Sequence, residues 1–178
     1  MGPEGPRGVG PGRFPLVIGL GNEHRGDDAV GLLVARRVRP RVEGFGSVLE
    51  LPNEATGLLD VWSGLGLVLV VDAVTSGRAP GTVHRIEVGS EPLALPFGMT
   101  STHGFSLAEA VSLGQTLRRL PDRLVIYGVE AVSFLPGRSL SREVAAAIDG
   151  VAQRVEQEVR RAAGREPPGD RAGGPSHA

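Results

Sequence analysis

The run Leu65 to Val71, reading LGLVLVV, is apolar throughout, rich in β-branched residues, and gives way abruptly to Asp72. A strand without polar alternation has no face to offer water, so it belongs in the middle of a parallel sheet covered by helices on both sides. That placement dictates much of the remaining chain. A sheet covered twice is built from strands that alternate with helices, and 178 residues with 40% hydrophobic content are enough for one such domain.

The expected elements follow in order. A first strand covers about 15 to 20. The segment 28 to 39 places Val30, Leu33, Val34 and Val38 at helical spacing, with Pro40 as its stop. A second strand is expected at about 46 to 51. Pro52 blocks further pairing there, and Asn53 or Thr56 can start a short helix through Leu58, Leu59 and Trp62. From Asp72 the chain reaches a strand at Thr82 to Val88 in fewer than the roughly dozen residues that a parallel crossover needs, so this strand is expected to be antiparallel. The helix 106 to 119 opens with the capping-box pattern Ser106-x-x-Glu109 and is expected to bury Leu107, Ala110, Val111, Gly114 and Leu117. Arg123 to Val129 reads as the last strand. Ser141 to Ala163 reads as the last helix, its apolar face formed by Val144, Ile148, Val151, Val155, Val159 and Ala162. The prediction is an α/β three-layer sandwich: a mostly parallel, twisted five-stranded sheet with one antiparallel strand and helices on both faces. One domain spans 14 to 163. Residues 1 to 13 and 164 to 178, rich in Gly, Pro and charge, are expected to be disordered.

In such sheets, ligands sit beyond the carboxyl ends of the strands. Three chemistry-bearing residues fall on that edge. Asp28 follows the first strand, Asp72 ends the third, and His103 lies in the long irregular stretch before the helix at 106. Two carboxylates and an imidazole from separate segments can converge as oxygen and nitrogen ligands of a divalent metal. The opening LVIGLGNEHRGDDAVG carries Gly19, Gly21 and Asn22 where a strand breaks into a loop. Its Asp27 and Asp28 stand at the start of a helix, where either can also serve as a cap. His24 and His84 read as structural or solvent-exposed.

Other chemistries are excluded or unsupported. The chain has no Cys, hence no disulfide, thiol nucleophile or thiolate metal site of its own. Net charge is −1 and the sequence pI is about 6.4, which gives no basic field for nucleic acid or an anionic membrane. No apolar run approaches the roughly 20 residues that span a bilayer, and the first residues lack a signal-peptide core, so a cytoplasmic protein is expected. No Gly-x-Ser-x-Gly elbow, His-Glu-x-x-His helix or phosphate-binding Gly-Lys loop occurs. Gly19-x-Gly21 lacks the third Gly of a dinucleotide fingerprint, because His24 stands in its place, so no organic cofactor is expected.

Four stretches together resemble a known family. They are GLGNEHRGDDAVG, VVDAVTSGRAPGTVHRI, STHGFSL and YGVEAVSFLPGRSLSREVAAAI, in order between about Leu16 and Ala163. The chain resembles the [NiFe]-hydrogenase maturation endopeptidases, which remove the C-terminal extension of the hydrogenase large subunit once nickel is in place. The resemblance implies that Asp28, Asp72 and His103 are both the metal ligands and the catalytic set. It implies that nickel arrives with the large-subunit precursor, held there by the precursor's own thiolates. A monomer is expected. In one stretch the chain departs from the family. Members commonly carry an Asp-Gly-Gly-Thr-like segment that helps read the substrate, whereas residues 51 to 57 are LPNEATG, with Glu54 or Thr56 as substitutes. Two rivals remain at this level: a nickel-binding checkpoint protein that does not cut, and a peptidyl-tRNA-hydrolase-like enzyme, whose Gly-Leu-Gly-Asn opening is shared but whose Thr-Arg-His-Asn-like stretch is absent.

Overall fold

The computed structural model describes residues 14–52, 57–89 and 106–164. The N-terminal arm and residues 165–178 of the tail lie outside this range, as do Asn53, Glu54, Thr56 and His103. Five strands form one sheet: β1 (Leu16–Gly21), β2 (Ser47–Pro52), β3 (Leu67–Val74), β4 (Val83–Val88) and β5 (Arg123–Glu130). Their order is β2-β1-β3-β5-β4, parallel except for β4, which runs antiparallel to β5 as its short connection demands. Among the described residues, four α-helices cover the sheet: α1 (Val30–Val38), α2 (Leu58–Trp62), α3 (Leu107–Leu117) and α4 (Arg142–Ala162).

Side-chain alternation along the strands sorts the core into two layers. Val17, Leu69, Val71, Val125, Tyr127 and Val129 pack with Val34 of α1 and Val151, Val155 and Val159 of α4. Ile18, Leu20, Val68, Val70, Leu124 and Ile126 pack on the opposite face with Leu58 and Trp62 of α2 and Leu107 and Val111 of α3. All eight residues of β3 are buried, as its unbroken apolar run requires.

Several boundaries differ from expectation, each for a physical reason. β3 continues two residues past Asp72, because its partner β5 runs on to Glu130 and the ladder pairs Asp72 with Gly128 and Val74 with Glu130. Asp72 is therefore inside a strand and not at its end. A 3₁₀ turn, Gly26–Ala29, leads into α1, and Pro40 sits within a second one, Arg39–Arg41, where its missing N–H costs nothing. α2 starts from Gly57 with no side-chain cap. The capping box of α3 forms in full, with Glu109 N–H on Ser106 Oγ and Ser106 N–H on Glu109 Oε2. Leu117 is nevertheless half exposed and Ala162 is exposed, because the last turns of both helices carry them off the sheet.

The inner face of α4 also carries a buried acid, Glu158. It accepts the Tyr127 hydroxyl and the Arg85 guanidinium (2.8 Å), and Arg85 and Arg123 in turn hold Glu87. This places a ladder of opposite charges along β4. On the far side of the sheet, Glu50 of β2 is paired with Arg36 and Arg39.

β1 and α1 touch backbone to backbone. A Cβ on Gly31 would lie 2.2 Å from the Leu20 carbonyl oxygen and 2.3 Å from that of Val71, while one on Gly19 would lie 2.3 Å from the Gly31 oxygen. Gly31→Ala is expected to cost about 3 kcal/mol, since neither carbonyl can move without breaking the sheet. Gly150→Ala, in α4 with open space around it, is expected to gain up to about 1 kcal/mol. Urea unfolding of the two variants checks both signs.

Candidate functional site

The chain crosses the sheet at one point. β1 connects to β2 through α1 on one face, and β2 returns past β1 to β3 through α2 on the other. The neighbours β1 and β3 thus leave the sheet in opposite directions, which opens a crevice at their carboxyl ends, the usual ligand position in such folds. Asp28 and Asp72 both stand there.

Asp28 reaches the crevice because the loop 22–28 folds back on the end of β1. Gly21, at φ +134°, lets the Asp28 carbonyl approach so closely that a Cβ would sit 1.8 Å from its oxygen, and the Asn22 N–H binds that oxygen at 3.2 Å. The Asp28 N–H closes the turn on the Arg25 carbonyl (3.3 Å). Asp72 comes from β3, on the face it shares with Val68 and Val70. Both carboxylates are buried, at 4% and 7% exposure.

These two acids interact. Burial, then the neighbouring Asp28 charge, pushes the Asp72 carboxyl up to about 7, against the opposing pull of the Ala73 N–H on its Oδ1 (2.8 Å). Perturbation of this kind in a crevice marks candidate functional groups. It also fits the donor chemistry of a cation site, since a divalent ion would relieve both the burial and the repulsion. Among the described residues no cluster of three or more His, Asp or Glu side chains is placed to hold a metal. His103 is outside those residues. α3, which begins four positions further along, runs back to the amino edge: after it, the Asp122 and Arg123 N–H groups bond to Leu65 and Gly66, just ahead of β3. Its first turn therefore lies at the carboxyl edge.

Asp27, adjacent to Asp28, does different work. It caps neither the 3₁₀ turn nor α1. Its buried carboxylate accepts N–H groups of Val132 (2.7 Å), Ser133 (3.2 Å) and Ser141 (2.6 Å) from the loop between β5 and α4. Nothing local announces this, because every partner is distant in sequence.

Glu130, at the end of β5, is a second acid that sequence reading passed over. It accepts N–H groups from Ser76 (2.6 Å), Gly77 (2.9 Å) and Arg78 (3.2 Å), the Ser76 hydroxyl (2.8 Å) and His84 Nε2 (3.2 Å). Burial alone would raise its carboxyl, yet these donors hold it below the usual range. The Ser76, His84 and Glu130 set is not a nucleophilic triad. Serine and carboxylate both meet the same imidazole nitrogen, and the serine donates to the carboxylate directly, so no relay runs through the ring. His84 is partly buried against Ser76 and Glu130. His24 is exposed.

A groove of about 400 Å³ lined by Arg39, Pro40, Glu43, Gly44, Gly46 and Val48 lies at the opposite, amino edge and holds no imidazole or nucleophile. No helix among the described residues is long and apolar enough to cross a membrane.

Fold and site together define a doubly wound α/β protein with a buried acidic pair at its switch point. Residues 47–158 match the family HycI, hydrogenase maturation protease. The chain belongs to the hydrogenase maturation protease family. Among curated relatives, it is 29% identical over 121 residues to the hydrogenase expression/formation protein HupD of Thiocapsa roseopersicina, covering 67% of this chain and 55% of that one. It is 28% identical over 138 residues to HupD of Rhizobium leguminosarum bv. viciae, covering 72% and 65%. The chain thus spans less than two thirds of the length of either HupD. Among solved structures, the hydrogenase maturating endopeptidase HybD from E. coli superposes with a TM-score of 0.72 at 26% identity, covering 85% of this chain and 94% of that one.

The raised Asp72 carboxyl has a measurable consequence. Its ordinary value is 3.8 and its folded value about 7, so between these the unfolded chain has released the proton while the native chain keeps it. Stability from this group is complete at acid pH, falls as pH rises through that window by up to about 1.4 kcal/mol per pH unit, and is level above it. Asp72→Asn is expected to remove this slope and to exceed the wild type in stability at pH 8, read by urea unfolding across pH 4.5 to 8.5.

Proposed function

We propose that this protein is an endopeptidase that removes the C-terminal extension of a nickel-loaded [NiFe]-hydrogenase large-subunit precursor, acting as a monomer in the cytoplasm. The observation that carries this reading is the buried Asp28 and Asp72 pair at the switch point of a chain from the maturation protease family. The metal is part of the substrate. Asp28, Asp72 and His103 complete the coordination of the nickel that the precursor brings, and the chain's lack of Cys suits this, since harder oxygen and nitrogen ligands do not strip an ion from thiolates.

The electrostatics give the pair a reason to wait for a loaded substrate. Without a cation, Asp28 and Asp72 repel each other in a buried setting and Asp72 keeps its proton near neutral pH. A precursor carrying nickel supplies positive charge, and Asp72 gives up its proton as it binds. Hydrolysis then adds water across one peptide bond, leaving a new C-terminal carboxylate on the subunit and a free amine on the departing extension. The water would be activated either by Lewis-acid polarisation from the nickel that the precursor brings or by a carboxylate acting as base.

The test uses three incubations followed by mass spectrometry: the folded nickel-loaded precursor, the same precursor without nickel, and an isolated peptide copy of the extension. A single cut in the first alone is expected. Equal cleavage of the nickel-free precursor would show that the acids act as ordinary catalysts, and binding without cleavage would favour a checkpoint protein. Asp28→Asn, Asp72→Asn and His103→Ala are each expected to lower processing by about 100-fold or more while the far-UV circular dichroism stays native. Normal processing by Asp72→Asn would refute the assignment.

A further inference from the structure

The loop 131–141 is long, and its surface residues include two exposed large apolar side chains, Val132 and Leu135, at 56% and 57% exposure. Loops of this kind are ordinarily among the most mobile parts of a domain. This one is pinned along its length. Its start is held by the Ala131 N–H on the Val74 carbonyl (2.9 Å), two residues beyond Asp72. Its middle is held by Arg25 Nε on the Phe134 carbonyl (3.2 Å) and by the Gly137 N–H on the His24 carbonyl (2.9 Å). Asp27 ties both ends together. Its Oδ2 takes Val132 and Ser133, its Oδ1 takes Ser141, and its own N–H binds the Ser133 carbonyl at 3.0 Å.

Single exposed apolar residues are ordinary on any surface. Two within four positions, on a segment fixed by a carboxylate that is 1% exposed and next in sequence to Asp28, are a different arrangement. A surface ordered in advance binds with little further loss of conformational freedom, so the clamp gives these two side chains value as contacts.

We propose that Asp27 is a positioning residue that fixes the 131–141 loop as the precursor-docking wall of the site, with Val132 and Leu135 as the side chains that seat an apolar segment of the precursor beside the scissile bond. The proposal rests on the reading of function above. It commits to the precursor as occupant because the wall is continuous with the crevice at both of its acids: through Asp27 to Asp28, and through Ala131 to the strand that carries Asp72.

The experiment measures equilibrium binding of the fluorescently labelled, nickel-loaded large-subunit precursor, alongside KM and kcat for its cleavage. The probes are the Val132→Ser, Leu135→Ser double variant and, separately, Asp27→Asn. The double variant changes side chains that are more than half exposed. It is expected to keep the wild-type unfolding midpoint and to raise both Kd and KM about tenfold, with kcat within about threefold of wild type. Asp27→Asn is expected to raise Kd and KM in the same way and to speed amide hydrogen exchange at Val132, Ser133 and Ser141. KM does not depend on how much of the enzyme is folded, so a merely structural role for Asp27 would leave it unmoved. Equal Kd for the wild type and both variants would overturn the proposal whether or not the precursor is cut. Binding that weakens in both variants while the wild type fails to cut would support the docking wall and overturn only the protease reading.

Discussion

Contact between the backbones of β1 and α1 is the constraint on which the rest of the site depends. Without side chains at Gly19 and Gly31, the helix lies directly on the strand ends, and Gly21 lets the intervening loop double back tightly enough for Asn22 to bond the Asp28 carbonyl. Any Cβ in this stack would push α1 outward and take Asp28 away from Asp72. The acidic pair is thus a product of the close packing beneath it. The turn that leads into α1 also sets Asp28 near a helix N-terminus, where negative charge is favoured, and that charge contributes to the raised proton affinity of Asp72.

The carboxyl edge holds buried acids of two kinds, and their surroundings separate them. Glu130 is enclosed by N–H, hydroxyl and imidazole donors and is held ionised as part of the scaffold. Among the described residues, Asp72 has one N–H donor and a like charge beside it, and its ordinary acidity is lost. Burial alone would not distinguish them. A satisfied carboxylate organises a loop, whereas one left with an unmet need for positive charge is prepared for a ligand.

Sequence reading reached the architecture because its signals were local. The unbroken run before Asp72 placed β3 in the centre, the short step to β4 fixed an antiparallel edge, and Ser106 with Glu109 marked the start of α3. The place of Asp28 and Asp72 at the carboxyl edge was legible for a related reason: the winding of an α/β sheet assigns strand ends to one edge. What escaped depended on distant partners. The Asp27 doublet reads as helix caps, but its carboxylate bonds residues more than a hundred positions away. Asp72 reads as a strand terminus, yet how far β3 runs is decided by β5. Glu130 gives no signal of its own, because the turn it organises, Ser76 to Arg78, belongs to another connection.

The charge ladder on β4 bears on how a chain segment could be received. An edge strand with free main-chain groups invites a further strand, and many proteins capture extended peptides in this way. Here Arg85 and Glu87 are already committed to Glu158 and Arg123 along one edge, while Glu50, paired with Arg36 and Arg39, and Pro52 occupy the other. A sixth strand would have to be laid against fixed charges on one side or against a proline with no N–H on the other. Fixed charges beside β4 and a proline at the end of β2 weigh against strand addition at those two places.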